Sequence, residues 1–148
     1  MPESFFQRVV VPVANDEDAA ATIDALRPHV ADSDSTVIAV HVIEKAGGAP
    51  DKASVEQREQ QASEIFATVT DGFDGVEMTL ETDLRFHTDI AASIIDAAHE
   101  WNASAIVFTP RGGSRWRKLL TGDVTHNLVT NSDVPVLVLP DREVSEDA

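Results

Sequence analysis

No cysteine occurs in the chain, so disulfides, thiolate catalysis and cysteine-ligated metal are excluded. Long apolar runs are missing as well. The longest, Val9 to Ala14 and Val134 to Leu139, fall far short of the ~20 residues that span a bilayer. Met1 to Arg8 lacks the basic residues and long apolar stretch of a secretory signal, so a cytoplasmic protein is expected. Positive charge is scarce too: 11 Lys and Arg stand against 26 Asp and Glu, a formal net charge of -15. Nucleic acids and anionic membranes are held by clustered cations that replace counterions, so neither is expected as a partner.

Lysine is the scarcer cation, with 3 Lys (Lys45, Lys52, Lys118) beside 8 Arg, and Asp outnumbers Glu 15 to 11. This balance resembles that of proteins from salt-loving microbes. At molar salt the Debye length shrinks to about 3 Å, and carboxylate repulsion that would strain the fold in dilute buffer is screened. What remains is ample for a core. The 148 residues are 43% hydrophobic, and a chain of this size buries roughly 68–70% of its unfolded surface as one domain.

Compact Val/Ile-rich runs alternate with stretches of helical period, the pattern of βα units on a parallel sheet. Five strands are expected: Arg8 to Val13, Thr36 to Ile43, Val76 to Glu81, Ser104 to Phe108 and Val134 to Leu139. The first, second and fourth are almost continuously apolar, as strands covered on both faces must be. The third alternates with a period of two and is placed at an edge. Pro135, which cannot donate to a ladder, sends the last strand to an edge as well.

Ala19, Ile23, Leu26 and Val30 recur at helical spacing behind the acidic run Asp16 to Asp18, and Pro28 is expected to end or kink that helix early. A second helix, about Ser54 to Thr70, aligns Val55, Ala62, Ile65, Phe66 and Val69 and has solvated first turns. A third is capped by Thr88 and buries Ile90, Ile94, Ala97 and Trp101. A fourth runs from about Asp123 to Thr130. Lys45 to Lys52 reads as a long loop, and Asp141 to Ala148 as a disordered tail.

Chemistry concentrates between the fourth strand and the fourth helix, from Thr109 to Thr125, which carries four of the 11 cations. Glycines after a strand let the backbone approach a ligand, and the free amides of the next helix's first turn bind anions. Parallel sheets bind ligands beyond the carboxyl ends of their strands, where strand order reverses. The same basic residues would also offset the acidic surface.

The motifs here resemble those of the universal stress protein family, with its Gly-x2-Gly-x9-Gly-Ser/Thr run and a closing Pro-Val-Leu-Val strand. Gly112 and Gly122, separated by nine residues, match the second and third glycines. The opening Arg8-Val9-Val10-Val11-Pro12-Val13, the Val40-His41-Val42 segment and the closing Asp133-Val134-Pro135-Val136-Leu137-Val138 look like the family's equivalents. The resemblance implies an open, Rossmann-like α/β fold with a parallel five-stranded sheet in the order 3-2-1-4-5 and helices on both faces. It also implies a stress-response module, a homodimer joined through the last strand, Val134 to Leu139, and in many members an ATP site, with Mg only alongside the nucleotide. The candidate nucleotide contacts are Pro12, Val13, Ala14 and Asn15 after the first strand and Val42 on the second. Thr109, Arg111, Gly112, Gly113, Arg115, Gly122, Asp123, Val124 and Thr125 complete them.

Three positions depart from the family's pattern. Thr109 stands where the first glycine belongs, Asp123 replaces the closing Ser/Thr, and Ala14 replaces an aspartate, a loss for which Asn15 could partly substitute. A hydroxyl at a helix start donates to phosphate. A carboxylate only accepts, competes for the same amides as an N-cap and repels phosphate, so Asp123 is read as a cap rather than as a metal ligand bridging to nucleotide. ATP binding is accordingly expected to be weak or absent.

His41, alone in a buried strand, is assigned to core packing and no chemistry. His29, His87, His99 and His126 show no spacing with carboxylates that marks a metal site or triad. Trp116, between Arg115 and Arg117, is read as packing against the domain rather than stacking on a base. A family member acting through its surface alone is the alternative. An ATP-dependent enzyme ranks third, since neither a Ser-Gly-Gly-x-Asp-Ser loop nor a His-x-Gly-His motif occurs.

Overall fold

A computed structural model describes residues 5–13, 16–30, 34–44, 52–108 and 123–139. Its elements follow in the order β1 (Arg8–Pro12), α1 (Asp16–Val30), β2 (Thr36–Glu44), α2 (Lys52–Gly72), β3 (Thr79–His87), α3 (Ile90–Glu100), β4 (Ala105–Phe108), α4 (Asp123–Asn131) and β5 (Val136–Val138). All the strand pairs are parallel and the sheet order is β3-β2-β1-β4-β5. Both expected edge strands are at edges. The expected loop from Lys45 lies outside the described residues up to residue 51, with Lys52 opening α2, and the tail from Asp141 lies outside them as well.

Alternation along the central strands splits the core between two faces. Val9, Val11, Val37, Ala39, Ala105 and Val107 pack with Ile23, Leu26 and Val30 of α1 and Ile65 and Val69 of α2. Val10, Ile38, Val40 and Ile106 pack with Ile94, Ala97 and Ala98 of α3 and Leu128 of α4. Right-handed crossovers account for the division: α1 and α2 lead outward from β1 towards β3, α3 leads back across to β4, and reversing direction puts it on the other face. Each fully buried Val, Ile or Leu contributes about 1.5–3 kcal/mol. At the opposite end of the sheet from the strand exits, Ser104 clamps β1 to β4. Its Oγ accepts from the Arg8 N–H at 3.0 Å and donates to the Arg8 carbonyl at 2.8 Å.

Four local expectations are corrected. β3 begins at Thr79, not Val76, and runs to His87, paired with β2 from Thr36↔Thr79 to Glu44↔His87. Val76, Met78 and Leu80 do pack against the core under α1 and α2, but Val76 and Met78 do so ahead of the strand, and of the three Leu80 alone pairs in the ladder, with Val37. Pro28 does not end α1, which continues to Val30. The amide it lacks would have bonded to exposed Asp24, whose carbonyl water can satisfy. The N-cap of α3 is Asp89, not Thr88: its Oδ1 accepts from the Ala92 N–H at 3.1 Å. Finally, β5 covers Val136–Val138 only. Val134 and Pro135 precede it in a turn held by the Ser132 hydroxyl, although the Pro135 carbonyl accepts from the Ile106 amide at 2.8 Å.

Two helices meet where α2 ends. A Cβ on Gly72 would lie 2.7 Å from Ile23 Cγ2, so glycine is what lets α1 and α2 approach this closely. Gly75, in the turn that follows, has φ +79°.

Candidate functional site

Strand order reverses between β1 and β4, the point at which open parallel sheets take ligands in a crevice beyond the strand ends. Pro12 and Val13 close it on the β1 side, both buried, and Val42 of β2 stands half-buried beside them against the cluster under α3 and α4. On the other side β4 ends at Phe108 and α4 starts at Asp123. The positive end of a helix thus belongs to the crevice rim.

The exit of β1 is held through Val13. Its amide donates to the Val40 carbonyl at 2.9 Å, and its carbonyl accepts from His41 Nδ1 at 2.8 Å. A carbonyl cannot donate, so Nδ1 carries the proton. His41 is therefore no plain core residue: it is half-buried and grips a neighbouring strand's end. Sequence reasoning missed this because only the register, Pro12↔Val40, reveals that His41 stands next to the β1 exit.

Of the residues expected to touch nucleotide, the structure brings Pro12, Val13 and Val42 to the carboxyl ends of β1 and β2. Asp123, Val124 and Thr125 form the first turn of α4. Asp123 is the first residue of that helix. Ala14, Asn15, Thr109, Arg111, Gly112, Gly113, Arg115 and Gly122 lie outside the described residues, as does Trp116.

Charged groups elsewhere form structural clasps. Arg85 Nε donates to Asp83 Oδ2 at 2.9 Å and its NH2 group to Glu100 Oε1 at 2.7 Å, while the Trp101 indole N–H also reaches Asp83 Oδ2 at 2.8 Å. His99 Nε2 lies 2.6 Å from Asp133 Oδ1, a pair 34 residues apart in sequence. The Asp133 carboxyl is held below its ordinary value by that bond first, then by a backbone hydrogen bond. A cleft of about 310 Å³ between α3 and α4 is lined by Asp89, Ile95, Asp96, Asn127 and Asn131, among others. Among the described residues no group of three or more His, Asp or Glu could hold a metal, and no helix is long and apolar enough to cross a membrane.

The family model of the universal stress protein family matches residues 5–140. Solved structures with the same fold include a universal stress protein family member from Burkholderia pseudomallei, 22% identical, covering 94% of this chain and 99% of the other at a TM-score of 0.70. The universal stress protein from Archaeoglobus fulgidus in complex with dAMP is 21% identical over 92% of this chain and 99% of its own, with a TM-score of 0.58. A family protein from Arabidopsis thaliana with AMP bound is 13% identical over 90% and 91%, at 0.63. A search of curated protein sequences returned no significant match.

Proposed function

Because the chain belongs to the universal stress protein family, we propose that it is a cytoplasmic stress-response module that binds rather than turns over, works as a homodimer joined through β5, and keeps a degenerate nucleotide site in the crevice between β1 and β4. The observation that carries this reading is the reversal of strand order between those strands, with the N-terminus of α4 beyond it. Solved relatives that hold dAMP and AMP support the choice of ligand class.

The described walls fit only part of a nucleotide. Val42, half-buried, offers an apolar surface to a base, while Val13 is buried in the cluster under α1 and α2. The Val13 amide and carbonyl are already taken, by Val40 and His41, so this stretch of backbone has little left for a base edge or ribose. At the far side the first turn of α4 carries the Asp123 carboxylate. Two like charges 4 Å apart at an effective dielectric of about 20 repel by up to ~4 kcal/mol. Arg111, Gly112, Gly113 and Arg115 would supply the phosphate contacts, and Mg would enter only with nucleotide.

Calorimetry with ATP and Mg in molar KCl tests this. The native chain should bind more weakly than micromolar, and Asp123→Ser should tighten binding about tenfold or more by replacing a repelling group with a donor. Micromolar affinity in the native chain, weakened by Asp123→Ser, would make Asp123 a metal-bridging ligand and overturn the reading. Ala14 and Asp123 together favour a second reading, a member that has lost nucleotide and acts through its surface. Absence of binding in both proteins would establish it.

A further inference from the structure

His41 shares the alternation of Val37 and Ala39, whose side chains join the cluster under α1 and α2. Its ring therefore stands on that face of the sheet. From Pro12↔Val40 the parallel register would next offer the Val13 carbonyl a main-chain amide of β2. The His41 ring takes that carbonyl instead, at 2.8 Å. The last ladder bond of β1 is thus the Val13 amide to Val40, and the carbonyl is turned out of the ladder by a side chain.

We propose that His41 is a positioning residue: by holding the Val13 carbonyl it fixes the exit of β1 on one side of the nucleotide crevice. This rests on the nucleotide reading above and deepens it, because the residue governing affinity on the β1 side then lies outside the glycine-rich segment and touches no nucleotide. A side-chain donor at the Nδ1 position is what the role requires. Asparagine, whose amide nitrogen can stand where Nδ1 stands, should fill it, and leucine should not.

The test uses the full chain carrying Asp123→Ser, alone and combined with His41→Leu or His41→Asn, in molar KCl. Hydrogen exchange at the Val13 amide, which donates to the Val40 carbonyl, should quicken about tenfold in His41→Leu and return to the parent rate in His41→Asn, the loss expected when one hydrogen bond goes. ATP affinity with Mg should follow the same ranking, about tenfold weaker in His41→Leu and within twofold of the parent in His41→Asn. Unchanged exchange in His41→Leu, or equal effects of leucine and asparagine, would overturn the proposal. So would altered exchange with unaltered affinity in a parent that binds. If the Asp123→Ser parent binds no ATP, the nucleotide reading fails by itself, and the exchange measurement still decides what His41 does.

Discussion

Arg85 holds two carboxylates at once, Asp83 on its own strand and Glu100 at the end of α3, with the Trp101 indole closing on Asp83 from the same helix end. Arg85 and Asp83 are each only 18% exposed and Glu100 is 64% exposed, so the inner pair is screened least by solvent. The Arg85 guanidinium, through its hydrogen bond first and its charge second, holds the Glu100 carboxyl below its ordinary value. As pH falls the unfolded chain therefore takes up this proton before the folded one does. The stabilisation is complete above about pH 4.3, the ordinary glutamate value, and is lost as pH drops through the lower folded one. Urea midpoints followed from about pH 6 to about pH 3 should fall more steeply for the native chain than for Glu100→Gln. Parallel curves would show that the bond carries no stability.

Helix α3 shows how an element's limits are decided. Asp89 caps it through the Ala92 amide. At the other end Asn102 takes φ +54° while the Ala103 amide returns to the Ala98 carbonyl at 2.8 Å, a left-handed stop that satisfies carbonyls the helix leaves open. Thr88 and Asp89 are both good caps by residue type, so adjacent candidates could not be ranked from sequence. Asp89→Ala should cost about 1 kcal/mol in urea unfolding, and Thr88→Ala close to nothing. The reverse order would return the cap to Thr88. β3 has the same cause of misreading on a larger scale. Its last six residues, Thr82 to His87, lie beyond the expected strand and include charged ones, yet an edge strand can carry them on its solvated side. Pairing along the whole of β2 then draws it into the sheet.

For the whole molecule, the charge of -15 spread over one small fold is the dominant long-range term. The melting midpoint should rise from dilute buffer to molar KCl as screening relieves self-repulsion, and a flat or falling midpoint would refute the salt-adapted reading. The proposed dimer belongs to this scale too. β5 is an edge strand, and Val138 and Val129 are large apolar residues left 49% and 66% exposed. Edge strands with unpaired backbone groups and nearby apolar surface invite a second copy. Sedimentation at micromolar concentration in high salt should give twice the chain mass, and Val138→Asp should shift it towards monomer. A native monomer would overturn the dimer.

The sequence by itself determined the class of fold, the strand order through its family motifs, the two edge strands and the buried stripes of the helices. Apart from the strand order, which the resemblance implied, these follow from local period and from apolar runs such as Val9 to Val11, which burial on both faces demands. It also named Pro12, Val13 and Val42 as candidate contacts, and these lie together at the carboxyl ends of β1 and β2. Only the tertiary structure decided that β3 extends to His87, that His99 meets Asp133, and that His41 holds the carbonyl of Val13. Each of these depends on register or on contact between residues far apart along the chain. Period reports which way a side chain points, but the partner it meets is set by how neighbouring strands and helices are aligned.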